Sequence, residues 1–279
     1  MPPLLSRFVH RPLLYAAFVF FGALGACMAL VMKLEKNLHQ EQRAQTADLA
    51  SMHAHALQQN IGQALSAAYA LAALVTDSHG DVKNFDTFAM QILQYHPGVS
   101  ALYLAPDGIT RAVVPKEWRA KGLGIDLLHD QQRKTEALRA RDSGELTLAG
   151  PLPLTQGGNG IIGRLPVFLP DNAGQKQFWG LVSVVVALPK VLTDAELPQL
   201  RQPGYDYEIW RLNPVTGKKQ MISTTPGYHD AEHVSYAFAL PNAEWTLDVL
   251  VKPNQDALVG LIFKIGLSLA FSLMLAYLV

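Results

Sequence analysis

Two stretches almost free of charge lie at opposite ends of the chain. If both cross a bilayer, everything between them is held on one side of it. Residues 13–32 (LLYAAFVFFGALGACMALVM) carry no ionisable side chain except Tyr15 and Cys27, and residues 257–279 (ALVGLIFKIGLSLAFSLMLAYLV) are broken only by Lys264. In a helix, roughly 20 apolar residues cross a hydrocarbon core about 30 Å thick. The pattern reads as a hairpin of span, polar domain and span. The first run is longer than the apolar stretch of about 7–15 residues in a cleaved signal peptide, so it reads as a retained span. Arg7 and Arg11 before it are nearly balanced by Lys33 and Lys36 after it, which leaves the orientation open. Lys264 sits near the start of the second run, where its stem can snorkel towards the domain. That run reaches the last residue, Val279, and is read as a span cut short, with further chain expected beyond it.

Charge excludes several functions for the polar part. The 23 basic and 23 acidic residues cancel, and they form no polybasic run that would suggest nucleic acid. The single cysteine, Cys27, lies in the first apolar run, so the polar domain has neither a disulfide framework nor a thiolate site. His53 and His55 are two apart on a helix and do not share a face. His229 and His233 flank acidic residues in a segment without helical pattern, so no metal is expected. Gly157-Gly158-Asn159-Gly160 lacks the lysine of a phosphate-binding loop, and Ser183 lies in an apolar strand rather than on a nucleophile elbow. No cofactor and no catalytic site are expected within this chain.

Leu57, Ile61, Ala64, Ala68, Leu71 and Val75 recur at alternating spacings of three and four, a helical stripe. One long helix over residues 33–77, roughly 60 Å at 1.5 Å per residue, accounts for it. Its alanines permit close approach of a partner, either from the same domain or from a second subunit, and a homodimer is favoured. Ser78-His79-Gly80-Asp81 ends this helix. A second amphipathic helix over 82–95 places Phe85, Phe88, Ile92 and Tyr95 on one face and stops at His96-Pro97-Gly98. Strands are expected at 99–104 and 109–114 around the Pro106-Asp107-Gly108 turn. An irregular stretch over 118–124 and a charged helix over 130–140 come next.

Further strands are expected at 146–149, 161–168 and 179–188, with a hairpin at Gln156-Gly157-Gly158-Asn159-Gly160. A short helical piece is expected within 189–200, then strands at 205–212, 219–223, 234–240 and 246–251. Helices followed mostly by antiparallel strands indicate an α+β fold, read as one sheet with helices on a single face.

The order of several short motifs carries more information than any one of them. Gly124-Ile125-Asp126-Leu127-Leu128 leads into a helix bearing Arg133, Ala137 and Ala140. Asp142-Ser143-Gly144, Gly150-Pro151-Leu152, Gln156-Gly157-Gly158 and Leu165-Pro166-Val167-Phe168 follow. His96-Pro97-Gly98-Val99-Ser100-Ala101 precedes them, and Trp179-Gly180-Leu181-Val182-Ser183-Val184-Val185 comes after. Over about 34–250 this order resembles the CHASE domain, the extracytoplasmic sensing module of receptor histidine kinases and cyclic-di-GMP enzymes. The resemblance implies a long stalk helix with one or two PAS-like antiparallel sheets, usually dimeric, between two transmembrane helices of a bacterial inner membrane. The domain boundaries expected are a cytoplasmic segment 1–12, a span 13–32, a stalk 33–77, a periplasmic sensor region 78–251 and a span 257–279.

The resemblance also implies a small-molecule ligand. In related cytokinin receptors the aspartate after the Gly-x motif bonds the ligand, and Asp126 stands there. The threonine before the Phe-Pro-Val segment is replaced here by Arg164, whose guanidinium favours a carboxylate or phosphate through bidentate bonds. Tyr103 and Leu128 are the further candidate ligand contacts. Three of the four have a plainer reading. Asp126 caps a turn or pairs with Arg164, strand alternation turns Arg164 to solvent, and Tyr103 belongs to the core. The expected function is periplasmic ligand sensing, transmitted to an output domain outside this chain. The alternative is a membrane-anchored binding or assembly module without signalling output.

Overall fold

The structure, a computed structural model, describes residues 10–96, 98–154, 158–201, 204–226, 233–252 and 255–278. Segment 1–9, Pro97, Gln156, Gly157, His229 and Val279 therefore lie outside the described residues, and with them part of two expected turns and of the histidine pair. The chain divides into two units, one of Met1–Thr46 with Val251–Val279 and one of Ala47–Leu250. Helix α1 (His10–Leu65) contributes to both.

In the first unit, the early part of α1 accompanies α7 (Gln255–Tyr277). Both helices contain an 18-residue window apolar enough to cross a membrane, with mean hydropathies of 2.2 and 2.1. Only 6% and 11% of those windows is buried, so neither is covered as the core helix of a water-soluble domain would be. Lys264 Nζ donates to Glu35 Oε1 at 2.7 Å, which ties the two helices together by a charge pair. Ser268 and Ser272 are buried and return their hydroxyls to the carbonyls one turn earlier, so neither leaves a polar group unmet in an apolar helix.

The second unit is α+β, with two antiparallel sheets around the rest of α1 and its continuation α2 (Ala67–Asp77). Ser66 separates the two helices. Its hydroxyl bonds the Gln63 carbonyl, a local competition with the helix ladder. All six residues of the predicted stripe are buried, and they share one core with strands of both sheets. The partner of the stripe is thus the domain itself. Burial of Leu57, Ile61, Leu65, Leu71 and Val75 stabilises the fold by about 1.5–3 kcal/mol each.

Helix α3 (Phe85–Tyr95) buries Phe85 and Ala89, whereas Phe88 and Tyr95, expected on the inner face, are exposed. The stretch 118–124, expected to be irregular, holds the end of a 3-10 turn and α4 (Arg119–Gly122). Helix α5 (Lys134–Ser143) ends at Gly144, whose φ of 71° is the left-handed cap conformation that glycine adopts at little cost. Helix α6 (Leu188–Asp194) supplies the short helical piece.

The first sheet contains β1 (Val99–Pro106), β2 (Ala112–Val114), β3 (Thr147–Pro153), β4 (Asn159–Pro170) and β5 (Lys176–Ala187), in the PAS-like order β2-β1-β5-β4-β3. The second contains β6 (Tyr205–Leu212), β7 (Lys219–Thr224), β8 (Val234–Leu240) and β9 (Ala243–Val251), in the order β7-β6-β9-β8. The single sheet read from the strand pattern is thus two, the larger of the numbers the family resemblance allows. Alternation reports which face of a strand is buried but not which strands pair.

Helices on a single face is also corrected. One face of the first sheet (Leu102, Leu104, Val182, Val184) packs in the core with α1 and α2. The other carries Ala101, Val113 and Val185 with Trp118, and Ala105 and Leu181 with Ala137 and Ala140 of α5. Coverage on both faces explains why β5 reads as a near-continuous apolar run. At Gly180 of β5 (φ 154°) an added Cβ would lie 2.2 Å from the Ala105 carbonyl oxygen, so close pairing of β5 with β1 requires glycine there.

Candidate ligand-binding site

Register across the first sheet brings four polar side chains into one row. Tyr103 pairs with Val113 and Ser183, Ser183 with Arg164, and Arg164 with Thr147. Because side chains alternate along each strand, this row projects to the face that α5 covers. It runs between the two small apolar clusters of that face, one around Ala105 and Leu181 and one around Ala101 and Val185. A polar seam is thus held between apolar walls.

Arg164 is the most buried charge of the seam, 1% exposed. The solvent-facing alternative is ruled out, because the strand face it occupies is covered. Its Nε, Nη1 and Nη2 have no hydrogen-bond partner among the described residues, and the adjacent Ser183 Oγ, also 1% exposed, has none either. A buried ion costs several kcal/mol when nothing answers its charge and hydrogen bonds. Burial pushes the guanidinium down to about 10, Glu136 and Asp130 raise it and Arg133 lowers it, so it remains cationic at neutral pH. Thr147 is not open in the same way, since its Oγ1 accepts from Asn242 Nδ2 at 2.9 Å.

Tyr103 is half-buried at the other end of the row. Burial pushes its phenol up to about 12 against the lowering effect of Arg133, so it stays a neutral hydroxyl. It lies on the side of Ala101 and Ala105 and packs with the cluster around Val185.

The other two candidates serve the covering segment. Asp126 Oδ1 accepts from the Leu128 and His129 N–H groups at 3.1 and 3.2 Å, and Oδ2 meets His129 Nδ1 at 2.9 Å. Residual desolvation raises its carboxyl, but the bonds from His129 and Leu128 hold it below the ordinary range. It therefore caps a turn, the plainer of its readings, and has no ion pair with Arg164. Leu128 packs against Gly108, where an added Cβ would lie 2.5 Å from its Cγ.

Three charged residues of this region escaped the sequence reading as site residues. Asp130 Oδ1 accepts from Arg133 Nη1 at 3.1 Å. Buried Glu136 of α5 accepts from Arg211 Nη2 of β6 at 3.4 Å, and Arg211 Nε also donates to Gln220 Oε1 at 2.9 Å. Burial lowers Arg211 while Glu136 raises it. Ser183 was dismissed as a nucleophile. The signal that could have flagged it is a lone hydroxyl inside the run Leu181 to Val186. Of the histidines considered for metal, His53 Nδ1 lies 2.8 Å from the Ala195 carbonyl oxygen and His55 Nε2 3.0 Å from the Tyr236 hydroxyl, both contacts within the scaffold.

Comparison with known proteins bears on the fold and the family. Residues 108–221 match the CHASE domain, a range that includes Asp126, Arg164 and Ser183. An extracellular ligand binding receptor from Desulfohalobium retbaense is similar in structure, with a TM-score of 0.54 at 16% identity over 74% of this chain and 40% of that one. This chain thus spans less than half the length of that receptor. The sensory domain of the Campylobacter jejuni chemoreceptor Tlp3 is similar with a TM-score of 0.51 at 12% identity, over 77% of this chain and 96% of that one. The ligand-binding domain of Tlp3 in complex with L-valine gives a TM-score of 0.50 at 10% identity, over 77% and 95%. At such identities the likeness establishes a shared fold. No curated protein matches the sequence. The motif order, the PAS-like sheet and the matched range of residues 108–221 agree in their likeness to the CHASE domain.

Proposed function

We propose that this chain is the periplasmic sensing part of a bacterial inner-membrane receptor, which binds a small anionic ligand at Arg164. The observation that carries the reading is the buried guanidinium without a hydrogen-bond partner beside an equally buried Ser183 hydroxyl. A fork of donors in a low-dielectric site selects a planar or tetrahedral anion. The CHASE match and the fold shared with sensory domains, one of them in complex with L-valine, support a sensing role. Tyr103 contributes a neutral hydroxyl to the same row, while Asp126 and Leu128 shape the segment near it.

In this reading residues 13–32 and 257–279 are the spans, residues 33–77 the stalk, and 78–251 the sensor region, with residues 1–12 cytoplasmic. The receptor is a homodimer, as the family resemblance implies. Its output, a histidine kinase or a cyclic-di-GMP enzyme, lies outside this chain. The ligand acts by its differential affinity for two arrangements of the domain, the only way binding shifts such an equilibrium.

The test is thermal unfolding of the full chain in detergent micelles with small carboxylates and with phosphate. At least one of these anions is expected to raise Tm, and Arg164→Ala to abolish the rise while circular dichroism remains native-like. Equal shifts in the wild type and in a folded Arg164→Ala would remove Arg164 from the site.

A further inference from the structure

We infer that the ligand is a monocarboxylate, recognised by Arg164 through its carboxylate and by the Ser183 hydroxyl beside it. The inference rests on the anion site proposed above and narrows it to one charge class.

The argument is a charge inventory around one buried arginine. Arg164 on β4 has in its surroundings two arginines and two carboxylates: Arg211 on β6 and Glu136 on α5, largely buried, and Arg133 and Asp130 before α5, about a third exposed. Each carboxylate already has its own arginine, Asp130 with Arg133 at 3.1 Å and Glu136 with Arg211 at 3.4 Å. Arg164 has no such pair among the described residues, and its nitrogens make no hydrogen bond there. One positive charge is left over in a place from which water is largely excluded.

A ligand with one negative charge brings the region to neutrality. A dianion would leave an uncompensated negative charge beside Glu136 and Asp130, at a cost that grows as the dielectric falls. The hydrogen-bond inventory agrees. Arg164 offers a planar fork, which matches the two oxygens of a carboxylate. The Ser183 hydroxyl, its neighbour across the strands, can donate to the same group or accept from a hydroxyl or amine next to it. The two flanking clusters add apolar side chains, mostly alanine, valine and leucine with Trp118 and Phe178, which suit an apolar body.

The experiment is isothermal titration of the full chain in micelles at matched ionic strength. The probes are acetate and propionate as monocarboxylates, succinate and sulfate as dianions, and chloride as a spherical monoanion. Acetate or propionate is expected to bind about tenfold or more tightly than any of the other three. Ser183→Ala is expected to weaken the monocarboxylate by about tenfold. Arg164→Met, which keeps apolar volume and removes the charge, is expected to abolish binding without lowering Tm in probe-free buffer, because an unanswered buried charge is removed. Tighter binding of sulfate, succinate or chloride overturns the charge class but leaves the anion site standing. Failure of every anion to bind overturns both readings. Binding that survives unchanged in Arg164→Met places the site elsewhere and overturns the assignment, and a large fall in Tm for that variant makes Arg164 structural and overturns it as well.

Discussion

Arg164 and Tyr103 show how neighbours on a sheet set the chemistry of a side chain. Arg164 was a candidate in the sequence because it stands where the family resemblance places a pocket threonine, and Tyr103 because it is a phenol in the first strand. Neither strand specified which face was covered. The cross-strand row through Ser183 settles that, and it leaves the guanidinium cationic and the phenol neutral. Tyr103 gives a direct consequence for pH. Its folded pKa, about 12, lies above its ordinary value of 10.0, so the neutral form is favoured by folding. That contribution is fully present below pH 10 and is lost as pH rises towards 12. Unfolding free energy measured by urea denaturation is expected to fall across this window, and Tyr103→Phe to flatten the fall. An unchanged slope in Tyr103→Phe would show that the phenol ionises freely.

Among the elements, the long helix departs most from its simplest reading. The stripe from Leu57 to Val75 has the spacing of a coiled-coil seam, and spacing does not distinguish a second helix from a sheet as its partner. Here the sheets take it. At Gly163 of β4 an added Cβ would come within 2.4 Å of Leu65 Cδ2, which shows how closely the helix approaches the strand. Ile61→Ala is therefore expected to destabilise the domain by about 2–5 kcal/mol in chemical denaturation. Light scattering of the same variant is expected to give the mass of the wild type. A lighter particle at unchanged stability would mean that the stripe joins subunits. Helix α5 is the other element that matters, because its Ala137 and Ala140 seat it on the first sheet while Glu136 reaches Arg211 of the second.

For the whole molecule the decisive question is topology, and Cys27 makes it measurable. As the single cysteine of the chain, it is the only native target for a thiol reagent. A membrane-impermeant maleimide is expected to leave Cys27 unlabelled in intact cells with a permeabilised outer membrane. In a Cys27→Ala background, Gln175→Cys, at the exposed turn between β4 and β5, is expected to label under the same conditions. Labelling of Gln175→Cys only after the inner membrane is broken would place the domain in the cytoplasm and reverse the proposed orientation.

What could be read in the sequence follows from composition and period. The apolar runs, the helical stripe and most strands, such as 205–212 and 234–240, are local patterns of burial, so a linear reading recovers them. Residue order in the motifs likewise carried the family. The choice between one sheet and two, the covered second face of the first sheet, and the row of Tyr103, Ser183 and Arg164 were not legible there. Asp126 shows the same limit from the other side, since its carboxylate is occupied by the turn it caps. Pairing and coverage join residues far apart in the chain, and a one-residue change of register would turn every side chain of a strand to the opposite face. The chain's own order therefore determines where strands and helices form, and their packing alone decides that Arg164 is a buried charge rather than a solvated one.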